Sequence, residues 1–458
     1  MSLAPYRRLL ALKSVRRLLL FGIIARIPGT AGAIALTLHV VEGLGRGYAA
    51  AGVMGASVTI GAAIGAPWRG RMVDRFGLRR ALAPSIVVEG IAWGIAPWVS
   101  YEVLIGIAFV GGLMGLPIFT VIRQSLSILV PVAQRRTAYA VDSMGVELSF
   151  MTGPAIGVVV ATQVSTTAAL LLVGATTVVA GIALSWFNPP TRSEQLAPAV
   201  PAQAGAPAVE LLDESASSST RWLTSPALLA VLAAAMGATL VLAGTDVGVV
   251  AVLREAGAET LIGLVFVFWG IGSITGALIY GQLPRGVHPL WLLLALGALT
   301  IPVGLATTPW LLCALIVPAG ALCAPVVSST AEAVARLVPE RSRGAAMGWH
   351  GSALTIGNAM GAPVAGAAID GVAPWAGFAI VGAVGAVFAT AALATQRVRR
   401  IRRVSAGRRP AGPAAGPALG PALSADGAGE PLAGTLAGGV GDDGGFPEGQ
   451  LESPQPVA

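Results

Sequence analysis

Charged side chains are scarce in this sequence. Asp, Glu, Lys and Arg make up 11% of its 458 residues, whereas 55% of the residues are hydrophobic. An average soluble domain has about 25% charged residues. The shortage excludes a soluble globular domain, because such a chain could not cover its surface with polar groups. Together with a mean hydropathy of +0.77, it indicates that lipid surrounds most of the chain.

Cysteines are rare, and the motifs of enzymes are missing. The two cysteines, Cys313 and Cys323, lie in one apolar run without the spacing of a metal site, so we expect them to pack in the core. The sequence has no glycine-rich phosphate loop and no nucleophile motif. We therefore predict that the protein is not an enzyme, that it holds no metal or other cofactor, and that ATP does not drive it.

Long apolar runs, in contrast, follow one another from Leu18 to Thr395. A helix needs about 20 mostly apolar residues to cross a hydrocarbon core about 30 Å thick. Runs of this length, without the alternation of barrel strands, predict an all-α integral membrane protein with twelve transmembrane helices. The predicted helices are 18–41, 48–70, 79–98, 102–129, 138–162, 165–187, 225–252, 258–281, 288–306, 309–338, 345–369 and 373–396.

Composition divides the sequence into four segments. The first six predicted helices form an amino-terminal half, residues 1–187, and the last six form a carboxyl-terminal half, residues 222–396. Residues 188–221 are rich in Pro, Ala and Ser, which is typical of a poorly ordered cytoplasmic linker. Residues 397–458 begin with an arginine cluster and continue as a Gly, Pro and Ala-rich cytoplasmic tail. We expect the tail to be disordered, because it has few large apolar side chains to bury.

The two halves repeat each other. Three glycines in helix 2 recur with the same spacing in helix 8, and a Leu-Val-Pro sequence at the end of helix 4 recurs at the end of helix 10. The matching positions are Gly61, Gly65 and Gly70 with Gly272, Gly276 and Gly281, and 129–131 with 337–339. A parallel pair of six-helix pseudo-repeats is typical of transporters whose two halves rock around a central site.

The basic residues are distributed unevenly between the two sides of the predicted bundle. With the amino terminus in the cytoplasm, the residues before helix 1 and the loops after helices 2, 4 and 10 place their arginines on the cytoplasmic side. The other side keeps only Arg46 and Arg254. This asymmetry follows the positive-inside rule and predicts a multi-pass plasma-membrane protein with both termini in the cytoplasm. The net charge of +7 is therefore attributed to topology, and no nucleic-acid partner is expected.

The loop between helices 2 and 3 carries a distinctive motif, Gly70-Arg-Met-Val-Asp-Arg-Phe-Gly-Leu-Arg-Arg80. Its two glycines allow a tight turn, and its lone carboxylate lies among cations. The loop resembles the signature loop of the major facilitator superfamily, although Leu78 replaces a usual basic residue. The resemblance covers residues 16–396 and implies that Asp74 is an ionic latch between the halves. The residues that fit the pattern are Gly70, Asp74, Arg75, Gly77, Arg79 and Arg80.

Helix 5 contains a stripe of small residues at intervals of four, Ser149, Gly153 and Gly157, with Pro154 beside it. Such a stripe allows another helix to approach closely. It also resembles part of the Gly-Pro motif in the antiporter branch of the superfamily, which would imply efflux. Generic close packing explains the stripe equally well. The segment from Arg123 to Pro154 is further similar to uncharacterised actinobacterial members of the superfamily.

Several charged residues fall inside the predicted helices, where charge is costly without a partner or a function. They are Arg26, Glu89, Arg123, Asp142, Glu147, Asp246 and His350. One interpretation is structural: Arg26 and Arg123 pair with Glu147 and fix the helices. The other is that a carboxylate, Asp142 or Glu89, exchanges a proton as the halves rock. His350, at the repeat position of Asp142, either titrates during transport or is simply hydrogen-bonded.

These patterns favour a secondary active transporter that works by alternating access and exports a small organic molecule in exchange for protons. Two alternatives stay open: the same fold could take up a small metabolite, or the protein could be a membrane sensor or scaffold that does not transport. The expected partners are the lipid bilayer, a small-molecule cargo and protons, and we expect a monomer.

Overall fold

The computed structural model describes residues 4–195, 222–283 and 285–407. Within these ranges the regular structure is helical, with no β-strand. Eleven helices among the described residues are long and apolar enough to cross a membrane, and the shorter apolar helix Pro289–Leu305 makes a twelfth. The predicted all-α bundle of twelve helices is therefore confirmed.

The membrane helices, α1 to α12, follow a short amino-terminal helix, Ala4–Ala11. The first half contains α1 (Lys13–Leu38), α2 (Tyr48–Phe76), α3 (Leu78–Ile95), α4 (Tyr101–Met114 and Ile118–Leu129), α5 (Arg135–Gln163) and α6 (Thr166–Phe187). The second half contains α7 (Pro226–Glu255), α8 (Ile262–Tyr280), α9 (Pro289–Thr300), α10 (Pro309–Gly320 and Cys323–Leu337), α11 (Arg343–Gly371) and α12 (Pro374–Gly407).

Local sequence explains several helix ends. Gly77 separates α2 from α3 with a φ of 79°, a conformation that glycine adopts without a steric cost. The hydroxyl of Ser165 accepts a hydrogen bond from Ala168 N at 3.0 Å at the start of α6. The hydroxyl of Thr308 does the same for Leu311 N at the start of α10. Both hydroxyls satisfy amides that have no partner within the helix.

Helices α4 and α10 are broken, although each was predicted to be continuous. In α4 the break falls at 115–117, because Pro117 has no N–H to donate and disfavours helical backbone before it. In α10 the break falls at 321–322, where Pro325 cannot donate to the carbonyl group of Ala321. The two breaks occupy corresponding places in the two halves, so they belong to the repeat.

The repeated glycines make equivalent contacts in the two halves. A Cβ atom at Gly61 of α2 would overlap the carbonyl oxygen of Phe109 in α4. In the second half, a Cβ atom at Gly272 of α8 would lie 2.5 Å from the carbonyl oxygen of Val317 in α10. One turn later, a Cβ atom at Gly65 would overlap the carbonyl oxygen of Leu113 in α4, and a Cβ atom at Gly276 would overlap that of Ala321 at the break of α10. Glycine is required at these positions because two backbones are in contact there.

The ends of the predicted segments differ from the structure in two places. After α6 the chain continues to a short 3₁₀ turn, Ser193–Gln195, and the rest of the predicted linker, 196–221, lies outside the described residues. The last helix continues to Gly407, past its predicted end at 396. The remainder of the predicted tail, 408–458, also lies outside the described residues.

Candidate functional site

A cavity of about 1060 Å³ lies between the two halves. It is large enough for a drug-sized molecule, since ligand pockets usually measure about 300–1,000 Å³. Its lining is largely apolar and includes aromatic side chains of both halves, Trp93, Phe119, Phe150, Phe266 and Trp269. A pocket of this size and chemistry between two repeats is the candidate cargo site.

The two halves contact each other at one end of the bundle, where α1 begins and α2 ends. We call this the basic end, because the arginines between α2 and α3 lie there. Arg136 of α5 forms an ion pair with Glu332 of α10 at 3.4 Å. Near the same end, the Thr137 hydroxyl donates to the carbonyl group of Gly281 at 2.7 Å. The cavity extends toward the opposite end, since Leu36 near the end of α1 lines it.

Asp74 joins the halves at the basic end. One oxygen of its carboxylate accepts hydrogen bonds from Gly344 N at 2.9 Å and from the side chain of Gln124 at 3.1 Å. The other oxygen accepts from Ala345 N at 2.7 Å. These amides begin α11, where unpaired N–H groups and the helix dipole favour an anion.

The expected ionic form of this latch is wrong. Among the described residues, no Lys, Arg or His nitrogen lies within 4.0 Å of the Asp74 carboxylate. The carboxylate instead caps a helix of the opposite half, because the start of α11 supplies donors directly. The close approach depends on Gly70 and Gly344, whose backbones are in contact.

Asp142 forms two buried ion pairs. One of its oxygens lies 2.7 Å from Nη2 of Arg26 in α1, and the other lies 3.1 Å from Nε of Arg123 in α4. Arg26 also stacks on the ring of Phe119, with its guanidinium carbon 4.7 Å from the ring centroid. The three charged side chains are 4% exposed or less. This cluster ties α1, α4 and α5 together within the first half.

The interpretation in which Arg26 and Arg123 pair with Glu147 is therefore wrong, since both arginines pair with Asp142. Glu147 lies five positions after Asp142 on α5, so the two side chains point to different faces of the helix. Its carboxylate accepts hydrogen bonds from the Ser273 hydroxyl at 3.0 Å and from the Cys323 thiol at 2.8 Å. Both donors belong to the second half. Cys323 thus has a polar contact at the cavity, in addition to the packing that was expected of it.

Two further predicted acids line the cavity. Asp246 of α7 is accessible from the cavity and lies close enough to Glu147 for their charges to repel. Glu89 of α3 accepts a hydrogen bond from the indole N–H of Trp93 at 2.6 Å and is attracted by Arg69. The structure therefore places Asp246 and Glu147 on the wall of the same cavity, from opposite halves, and Glu89 on the part of the wall that the first half forms.

The sequence profile of the Major Facilitator Superfamily matches residues 18–284, more than half of the chain. The chain belongs to this superfamily. Its members share a fold for secondary transport by alternating access, which agrees with the two repeats and the cavity between them. No curated protein sequence matches the chain.

Solved structures share this superfamily fold. The human organic anion transporter MFSD10 has a TM-score of 0.62 at 17% identity, over 82% of this chain and 99% of that one. A bacterial homologue of the iron transporter ferroportin, in an outward-facing state, has a TM-score of 0.61 at 15% identity, over 83% and 97%. The proton:xylose symporter XylE has a TM-score of 0.58 at 14% identity, over 82% and 95%. At these identities the similarity concerns the fold alone.

The small-residue stripe of α5 packs against α1. The Ser149 hydroxyl donates to the carbonyl group of Ile23 at 3.0 Å, and the Thr30 hydroxyl donates to that of Ser149 at 3.0 Å. A Cβ atom at Gly153 would overlap the Thr30 side chain, and one at Gly157 would lie 2.9 Å from the carbonyl oxygen of Ala31. Pro154 lines the cavity.

The remaining predicted residues of this superfamily member have varied surroundings. Arg75 stacks on Phe76, and Arg79 donates to the carbonyl group of Ser185 at 3.0 Å. Arg80 is exposed. His350 is fully enclosed and lies 2.9 Å from the Thr330 hydroxyl. That contact agrees with the hydrogen-bonded alternative for this histidine.

Arg69 is a cavity residue that was not among the predicted site residues. It lies inside α2, which continues to Phe76, past the predicted helix end at residue 70. Its guanidinium donates to the carbonyl groups of Gly112, at 2.8 Å, and Leu113. The break in α4 frees these carbonyl groups. One sequence feature could have pointed to Arg69 as a cavity residue: it is a charged residue directly before Gly70, at the end of an apolar run.

Proposed function

We propose that this superfamily member exports a small organic molecule across the plasma membrane in exchange for protons. Glu147 supports the proposal most directly, because its carboxylate lies at the cavity and is hydrogen-bonded to Ser273 and Cys323 of the opposite half. A carboxylate that changes partners as the halves move is suited to couple a proton to the cycle.

The proposed coupling follows from the positions of these bonds. The halves are closed at the basic end, where Asp74 caps α11 and Arg136 pairs with Glu332. Opening that end requires the halves to separate, which would also part Glu147 from its two donors. Glu147 therefore has donors from the opposite half in the described conformation and would lose them when the basic end opens, which is the change of surroundings that coupling requires. Asp142 suits this role less, because both of its partners move with the same half.

The small-residue stripe of α5 supports the direction of transport. Its resemblance to the antiporter motif favours export over uptake, and its tight packing on α1 is compatible with a rigid half that rocks as one body. In this proposal both termini lie in the cytoplasm, the basic end faces the cytoplasm, and the described conformation is open to the exterior.

Transport in proteoliposomes tests the proposal with a mixture of candidate cargoes. Vesicles that hold the protein are incubated with many small organic molecules at once, and the molecules retained are identified by mass spectrometry. A proton-coupled exporter should concentrate some of them in vesicles with an acidic lumen, and a protonophore should abolish the gain. Accumulation only with the opposite gradient would indicate proton-coupled uptake, and no accumulation or exchange would favour the sensor or scaffold.

Glu147→Gln tests the coupling residue. The variant should fail to concentrate cargo in acidic vesicles, and any exchange that remains should run only down the cargo gradient. Glu102→Gln is the matched control, because Glu102 forms an exposed ion pair with Arg46 at 3.2 Å, away from the donors of Glu147. Uphill transport by Glu147→Gln at the parental level would remove Glu147 from the coupling mechanism.

A further inference from the structure

The positive charges at the cavity are shielded from its interior. Three arginines line the cavity, but Arg26, Arg69 and Arg123 are only 2%, 8% and 3% exposed, respectively. Arg26 and Arg123 are paired with Asp142, and Arg69 is bonded to backbone carbonyl groups of α4. Little cationic surface is therefore available to a molecule inside the cavity.

The accessible charge is negative. Asp246 is enclosed by protein yet accessible from the cavity, and its carboxylate accepts no hydrogen bond from the described residues. Glu147 is half-buried and also lines the cavity. Neither carboxylate has a cationic nitrogen within 4.0 Å in the described part of the chain. Two acids that repel each other without a cation are costly inside a membrane protein.

Other groups around this pair also suit a cation. The Ser143 hydroxyl, one turn before Glu147 on α5, belongs to the cavity wall and has no hydrogen-bond partner among the described residues. Because it is only 4% exposed, it contributes an unpaired acceptor within the wall and no surface that the cargo could contact directly. On α8, Trp269 lies one turn before Ser273, the donor to Glu147, and also lines the cavity. The face of an indole ring attracts cations.

We propose that the cargo is an organic cation with an apolar body, whose charged group binds between Asp246 of α7 and Glu147 of α5. This proposal rests on the transport function proposed above and adds the chemical class of the cargo. Binding would compensate the two carboxylates, and the apolar lining would cover the rest of the molecule. Because the acids belong to opposite halves, the cargo would contact both halves at once.

Two ions of equal shape and opposite charge provide the test: tetraphenylphosphonium and tetraphenylborate. Binding to the full-length protein in nanodiscs is measured by titration calorimetry, with empty nanodiscs to subtract partition into lipid. The parent should bind tetraphenylphosphonium in preference to tetraphenylborate. Asp246→Asn should weaken tetraphenylphosphonium binding at least tenfold. Asp246→Glu, which keeps the charge, should restore most of the affinity.

Glu259→Gln is the control variant, because Glu259 belongs to the same half but forms an exposed ion pair with Arg254 at 3.7 Å. Its affinity should equal that of the parent. Preference for tetraphenylborate, absence of binding by both ions, or unchanged affinity in a folded Asp246→Asn variant would overturn the cation proposal. Since binding is measured without a gradient, these outcomes are independent of proton coupling. Intact binding without proton-driven accumulation would count only against the proposed transport mechanism.

Discussion

The carboxylate of Asp74 and the backbone N–H of Ala345 lie 2.7 Å apart, although the two residues are separated by 271 positions in the sequence. Asp74 lies in the last turn of α2, and Ala345 lies in the first turn of α11. An anion at a helix N-terminus contributes about 0.3–1 kcal/mol, and up to ~2 kcal/mol when partly buried. Across the two halves, this contact stabilises the conformation that is closed at the basic end.

Asp74→Asn should weaken that conformation without unfolding the protein. The amide keeps the shape of the side chain but loses the charge that interacts with the helix dipole, so we expect a loss of about 1–2 kcal/mol. Transport should fall severely, while expression and thermal unfolding change little. Arg80→Gln, an exposed position in the same loop, serves as the control. Full transport by Asp74→Asn would show that the cap is dispensable.

Asp142→Asn should destabilise the protein far more than Glu147→Gln. The first change leaves Arg26 and Arg123 buried without their shared carboxylate, and breaking a buried ion pair costs on the order of 3–5 kcal/mol. Glutamine at 147 retains an oxygen that can accept from Ser273 or Cys323, so its cost should be small. Thermal unfolding in detergent measures both. Equal stability of the two variants would contradict the structural role of Asp142.

Tyr6→Phe should favour opening of the basic end. The single proton of the Tyr6 hydroxyl is shared between the carbonyl groups of Ala277 and Leu278, whose oxygens lie at 3.1 and 2.9 Å, which links the amino-terminal helix to α8. One such hydrogen bond contributes about 0.5–1.5 kcal/mol. Spin-label distances between the halves should report a larger open population in the variant. An unchanged distance distribution would show that the amino-terminal helix does not hold this end closed.

The Tyr6 contact should be independent of pH over the range used for transport assays. Burial raises the pKa of Tyr6 to about 12, so the hydroxyl keeps its proton in the folded protein. A raised pKa gives a contribution that is complete below the unfolded value of about 10 and is lost only as the pH rises through about 12. The effect of Tyr6→Phe should therefore be the same at pH 6 and pH 8. A difference would assign the effect to another group.

Cysteine labelling should test the proposed orientation. In a background with Cys313→Ala and Cys323→Ser, single cysteines at the exposed positions Arg75 and Glu42 lie at opposite ends of the bundle. A membrane-impermeant maleimide should label Glu42→Cys in intact cells and Arg75→Cys only after permeabilisation. External labelling at Arg75→Cys would reverse the orientation and, with it, the proposed direction of opening.

Arg69 and the latch show where the sequence was insufficient. The resemblance of the loop at Gly70 implied a contact between the halves through Asp74, but it implied an ionic one, whereas the actual partners are backbone amides that carry no sequence signal. Similarly, Arg69 fell inside the predicted helix 48–70, but the sequence did not show that its guanidinium contacts the carbonyl groups at the break of α4. In both cases the missing information was the position of another helix.

The sequence by itself determined the membrane location, the twelve helices and their repeat, because apolar length and glycine spacing are local properties that lipid and close helix packing impose directly. It also placed the costly charges inside the bundle. Only the tertiary structure decided which charges meet. Asp142 and Glu147 are five residues apart on one helix, yet the first binds two arginines of its own half and the second reaches the other half. Partner choice depends on which helix faces each side of α5, and that is fixed by the packing of the whole bundle.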